Sequence, residues 1–128
     1  MGNAYSIPKI HFEELQVLMK SQESFLLINT MSEEEQGCLI YHTVPIKEEE
    51  TKINKLLKDK KWNTRIIVYG KNYNDATVIR KKNQLTQLGF KGVQLYIGGI
   101  FEWLCLQEIY GDGLFPTTES GADLLKYK

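Results

Sequence analysis

Apolar positions along the chain fall into short continuous runs separated by helical stripes. Phe25-Leu26-Leu27-Ile28-Asn29 and Arg65-Ile66-Ile67-Val68-Tyr69 are runs of strand length with little polar alternation, the pattern of strands buried on both faces of a parallel sheet. Residues 93–97 make a third such run, and Lys9-Ile10 a short leading strand. The run at 65–69 is the richest in β-branched residues, which assigns it to the sheet centre. Between the runs, Phe12, Leu15, Leu18 and Met19 recur at helical spacing, and residues 48–57 read as a surface helix. A further helix starts where Asn74 or Asp75 can cap it and runs to Leu88, with Gly89 as its stop. Another follows Gly98-Gly99 through Leu106. Glu33-Glu34-Glu35 predicts a short polar helix ended by Gly37, and Thr43-Val44-Pro45-Ile46 an edge strand, since Pro45 has no N–H for a central ladder. Strand and helix alternate, so the expected fold is α/β, with a central parallel sheet and helices on both faces. One domain spans residues 9–110, preceded by a segment, 1–8, and followed by a tail, 111–128, packed on it.

Composition narrows the function classes. The 128 residues, 42% hydrophobic and 25% charged, are enough for one folded core and unlike a disordered chain. Sixteen basic residues balance sixteen acidic ones, so no net field draws the chain to nucleic acid, and the basic clusters at 58–61 and 80–82 read as solvated faces. The two cysteines, Cys38 and Cys105, have no C-x-x-C spacing, and there are only two histidines, His11 and His42. No metal site or cofactor is expected from that set, and the free thiols suit an intracellular compartment. No secretory signal or membrane-spanning run is present in the sequence.

Three local patterns carry a more specific message. Leu85-x-x-x-Gly89-Phe90-x-x-Val93-x-Leu95-Tyr96-Ile97-Gly98-Gly99-x-x-x-Trp103 joins a helix stop, a strand, a double-glycine turn and an aromatic anchor. Leu26-Leu27-Ile28-Asn29-Thr30-Met31 and Gly37-Cys38-Leu39 follow an earlier strand, and Ile66-Ile67-Val68-Tyr69-Gly70 ends the central one. Together these resemble the rhodanese family across residues 10–106. The resemblance implies a three-layer rhodanese-like fold and a sulfurtransferase site in which the residue after the central strand is a nucleophilic cysteine. Here that residue is Gly70. The family's strand ending in Asp-x-Arg and its Gly-His-Ile are also replaced, with Asn29, Met31 and Cys38 at the matching places. The loop of Lys71, Asn72, Tyr73, Asn74 and Asp75 is slightly longer than usual for the family and puts an acid near the position of an anion-binding arginine. A carboxylate there repels thiosulfate or phosphate, which weakens the related cysteine phosphatase reading as well.

The expectation is therefore a catalytically inactive rhodanese-like module that binds or scaffolds another protein through the loop at 71–75. Two rivals remain: an enzyme with a relocated nucleophile at Cys38, taken to be exposed beside the site, and a small-anion sensor using Lys71 and loop N–H groups. Cys105 is expected in the core. Met1-Gly2-Asn3-Ala4-Tyr5-Ser6 matches an N-myristoylation pattern at Gly2, which would imply a eukaryotic or viral context and a reversible membrane tether. Self-association is compatible with all of these readings.

Overall fold

The computed structural model describes residues 8–128, so the acylation signal at Gly2 lies outside the described residues. Four strands, β1 (Lys9–Ile10), β2 (Phe25–Asn29), β3 (Arg65–Tyr69) and β4 (Gly92–Tyr96), form one sheet in the order β1-β4-β3-β2, and every pairing is parallel. Leu27 lies opposite Ile67, Val68 opposite Leu95 and Ile10 opposite Tyr96. The helices are α1 (Phe12–Lys20), α2 (Ile46–Lys58), α3 (Thr77–Leu88) and α4 (Gly99–Tyr110).

Because successive strand side chains point to opposite faces, each run serves two cores. Leu27, Ile67, Tyr69 and Tyr96 meet Leu15 and Leu18 of α1 and Trp103 and Leu104 of α4 on one face. Ile28, Ile66, Val68, Val93 and Leu95 meet Ile53 of α2 and Val78 and Leu85 of α3 on the other. This is the three-layer α/β arrangement expected from the sequence, and each fully buried aliphatic side chain contributes on the order of 1.5–3 kcal/mol.

Two local expectations are corrected. The stretch at 43–46 is not a strand: Thr43 makes a single bridge to Leu27, Val44 N–H donates to the Leu27 carbonyl at 2.8 Å, and Ile46 already begins α2. Pro45, with φ −57°, is the N-cap of that helix, so the residue that argued for an edge strand instead starts a helix. The acidic run at 33–35 makes only one 3₁₀ turn, ended at Gln36 rather than Gly37. Gly89 closes α3 with φ 117°, the left-handed conformation its type predicts. Among the described residues no helix is long and apolar enough to cross a membrane.

Candidate functional site

A parallel sheet sends all its strands' carboxyl ends to one edge, where the loops after β2, β3 and β4 gather. The loop after β3 begins at Gly70, which is buried, and two neighbours fix its path. Ile100 N–H donates to the Gly70 carbonyl at 3.0 Å, and Phe101 N–H to the Lys71 carbonyl at 2.8 Å. That close approach of α4 requires glycine at 99: its φ is +68°, and a Cβ there would lie 2.5 Å from the Gly70 carbonyl oxygen. Gly98 is needed for a different reason. A Cβ there would meet the Glu102 carboxylate, which folds back to accept the Tyr96 hydroxyl proton at 2.5 Å.

Asp75 turns inward beneath the loop. Its Oδ2 accepts the Lys71 backbone N–H at 3.0 Å, and its Oδ1 accepts the Thr77 backbone N–H at 3.0 Å and the Thr77 hydroxyl at 2.6 Å. The Thr77 hydroxyl lies 2.7 Å from that of Thr30, at the end of β2. Burial works against the Asp75 charge, yet the donors from Thr77 and Lys71 outweigh it and hold the carboxyl below its usual range. Asn74 does no capping. Its N–H donates to Asn72 Oδ1 at 2.9 Å, while Asn72 Nδ2 reaches the Tyr127 carbonyl at 2.8 Å. Within the loop, Tyr73 is the open residue, 73% exposed.

Charge around the loop is balanced. Lys71 Nζ pairs with Glu35 Oε2 at 2.8 Å, a contact that lowers the Glu35 carboxyl and raises the Lys71 ammonium. A cavity of about 530 Å³ opens here, bordered by Thr30, Glu35, Lys71, Asp75, Thr77 and Lys128. Lys71 is engaged by Glu35, and the Asp75 carboxylate faces the same space, which weakens the anion-sensor reading; Lys128 borders the cavity with no ion pair among the described residues. On the far side of Tyr73 lies a more apolar groove of about 430 Å³, bordered by Tyr73, Tyr96, Phe101, Glu102 and Cys105.

The two thiols are placed elsewhere. Cys38 is 4% exposed, not open beside the loop, and its Sγ donates to the Glu119 carbonyl at 3.6 Å. Burial raises its pKa. Cys105 is only partly buried, a correction to its expected core position. Partial burial, followed by the nearby Glu102 and Glu108 charges, raises it as well. Neither thiol has the depressed pKa of a reactive cysteine.

Several residues organise the site in ways the sequence did not signal. Tyr69, fully buried just before Gly70, accepts the Ile40 N–H at 3.1 Å and lies 2.7 Å from the Thr43 hydroxyl. Asn29 and Gln36 exchange side-chain amide hydrogen bonds of 3.0 and 2.7 Å, and Asn29 Oδ1 also accepts the Met31 N–H. Thr30, Thr77 and Glu35 belong to the same group. Two positions of the site had a forewarning: Asn29, at the place of the family's acid, and Asp75, in its cap chemistry.

The family profile described as rhodanese-like domain matches residues 11–105. Among solved structures, the Alr3790 protein from Anabaena sp. is similar at 17% identity with a TM-score of 0.64, covering 91% of this chain and 97% of that one. Ygr203w, described as a yeast protein tyrosine phosphatase of the rhodanese family, is similar at 15% identity and TM-score 0.64, covering 95% and 97%. The BH2092 protein from Bacillus halodurans is similar at 21% identity and TM-score 0.62, covering 78% and 73%. Comparison with curated proteins yields no match.

Proposed function

Because the chain belongs to the rhodanese-like domain family, we propose that it is a member without sulfurtransferase or phosphatase activity, used to bind or scaffold another protein. The observation that carries this reading is the residue after β3. Rhodanese chemistry needs a thiolate there to take up sulfur, and Gly70 offers only a backbone. The relocated-nucleophile alternative draws no support from Cys38, whose thiol is buried against the Glu119 carbonyl. The binding surface in this reading is the loop at 71–75, with Tyr73 as its exposed aromatic anchor and Asn74 beside it, on a rim held by Asp75 and the Lys71–Glu35 pair. An acylated Gly2 adds a weak membrane tether, since one acyl chain gives only marginal, reversible attachment.

The test is incubation of the native protein with thiosulfate and cyanide, and separately with an aryl phosphate. No thiocyanate or phosphate above the buffer rate is expected, and intact mass should show no added sulfur. Thiosulfate turnover that disappears in Cys38→Ser would overturn the proposal, as would phosphatase turnover at either cysteine. For the tether, native protein should float with anionic vesicles and Gly2→Ala should not. Equal flotation of the two removes the tether.

A further inference from the structure

We infer that Asp75 is an internal ligand of the β3–α3 loop that reserves position 70 for glycine, so that restoring a cysteine there restores nothing while Asp75 remains. The inference rests on the non-catalytic reading and adds what enforces it. A Cβ built on Gly70 would overlap Asp75 Oδ2 and would lie 3.0 Å from Asp75 Cγ and 2.9 Å from Thr30 Oγ1. The first contact falls well inside van der Waals distance, and neither partner can swing aside cheaply.

Each Asp75 oxygen is engaged, Oδ2 by Lys71 N–H and Oδ1 by the N–H and hydroxyl of Thr77, so moving the carboxylate breaks three charge-assisted hydrogen bonds. Thr30 is held by the 2.7 Å contact to Thr77 and by its N–H, which donates to the Tyr69 carbonyl at 3.0 Å. The backbone at 70 cannot retreat either, because its carbonyl is bonded to Ile100 N–H. The Asp75 carboxylate thus fills the space of a side chain at 70 and places a negative charge where a thiolate would have to form. A like charge beside that position also disfavours a thiolate there. Position 75 is therefore a positioning residue for position 70.

In a re-armed site the thiolate introduced by Gly70→Cys would attack the outer sulfur of thiosulfate. A new S–S bond forms as the old one breaks, and sulfite leaves with the bonding electron pair. Full-length native protein, Gly70→Cys, and Gly70→Cys with Asp75→Ser are to be treated with thiosulfate and read by intact mass. Serine keeps a hydroxyl next to the N-cap residue Ala76, able to accept the Thr77 N–H, and removes the charge. The single variant should carry no more persulfide than the native protein, and the double variant at least tenfold more. Persulfide loading of the single variant above the native level and equal to that of the double variant would overturn the inference. Loading of the native protein would instead overturn the non-catalytic reading.

A thermal cycle decides the coupling even if neither cysteine variant takes up sulfur. Gly70→Ala should lower the melting temperature in the native background and lower it much less beside Asp75→Ser. Asp75→Asn, which keeps the shape without the charge, should retain most of the Gly70→Ala cost. Equal shifts in the native and serine backgrounds would refute the steric exclusion.

Discussion

At the residue scale, the loop depends on two carboxylates whose folded pKa values are depressed. Glu35 is lowered chiefly by its hydrogen bond to Lys71, and Asp75 by Thr77 and Lys71 against the opposing effect of burial. Such groups add stability above the unfolded carboxyl range, near pH 4, and that contribution is lost as pH falls through the lower folded values. Denaturant titrations at stepped pH should therefore show stability falling below about pH 4. The fall should be shallower in Glu35→Gln with Asp75→Asn. An unchanged acid slope in that double variant would show that these carboxylates do not carry the effect. The inward turn of Asp75 was only half legible in the sequence. Its type announces a helix cap, but the bond to Lys71 N–H depends on the loop's closure, which the spacing of 71 and 75 does not specify. Cys38 was misplaced for a similar reason: its alignment with a loop histidine located it along the chain, while its burial is set by the tail that crosses it.

At the element scale, strand identity was the most legible part, because continuous apolar runs at 25–29 and 65–69 have few other ways to be buried. The segment at 43–46 was misread because Thr-Val-Pro-Ile satisfies strand propensity and helix N-cap chemistry equally, and the long amphipathic stretch after Pro45 decides for the helix. The turn between β4 and α4 allows a sharper test. Gly99 combines a positive φ with a would-be Cβ contact of 2.5 Å to the Gly70 carbonyl, so strain and clash coincide. Gly99→Ala should destabilise by more than the roughly 1–3 kcal/mol of backbone strain alone. Gly113→Ala, where no atom lies within 4 Å of the added carbon and φ is not positive, should stay within about 0.5 kcal/mol. Chemical denaturation of the pair checks this, and comparable losses would refute the close-approach account of the double glycine.

At the scale of the whole molecule, the residues after α4 stitch the two ends of the site together. Tyr41 N–H and the Trp103 indole N–H both donate to the Pro116 carbonyl, each at 3.0 Å, and Thr118 and Leu39 exchange two more hydrogen bonds. The strap ends with Tyr127, 2% exposed, in the same apolar cluster as Cys38 and Tyr69. Its side chain works as a peg: truncating a buried aromatic costs about 3–5 kcal/mol when the cavity persists. Here the tail can release instead. Tyr127→Ala should raise amide exchange at 117–128 and at Asn72 and speed alkylation of Cys38, while α2 and β3 keep their protection. Uniform loss of protection across the sheet would show the strap to be inseparable from the core. That residues 111–128 pack on the domain was expected from the sequence, but their polar and glycine-bearing composition does not show which loops they tie together.

The bond from Trp103 to Pro116 also gives the protein a built-in optical reporter. One indole, at 103, is sealed among Tyr96 and Phe115 and tied to the strap, whereas the other, Trp62, is partly open and leans on Phe90 and Gly89. The sealed ring should emit at shorter wavelength and resist quenching by iodide or acrylamide, and the open ring should not. Strap release would then register as a red shift confined to Trp103, readable in the Trp62→Phe protein while the backbone signal in the far ultraviolet is unchanged.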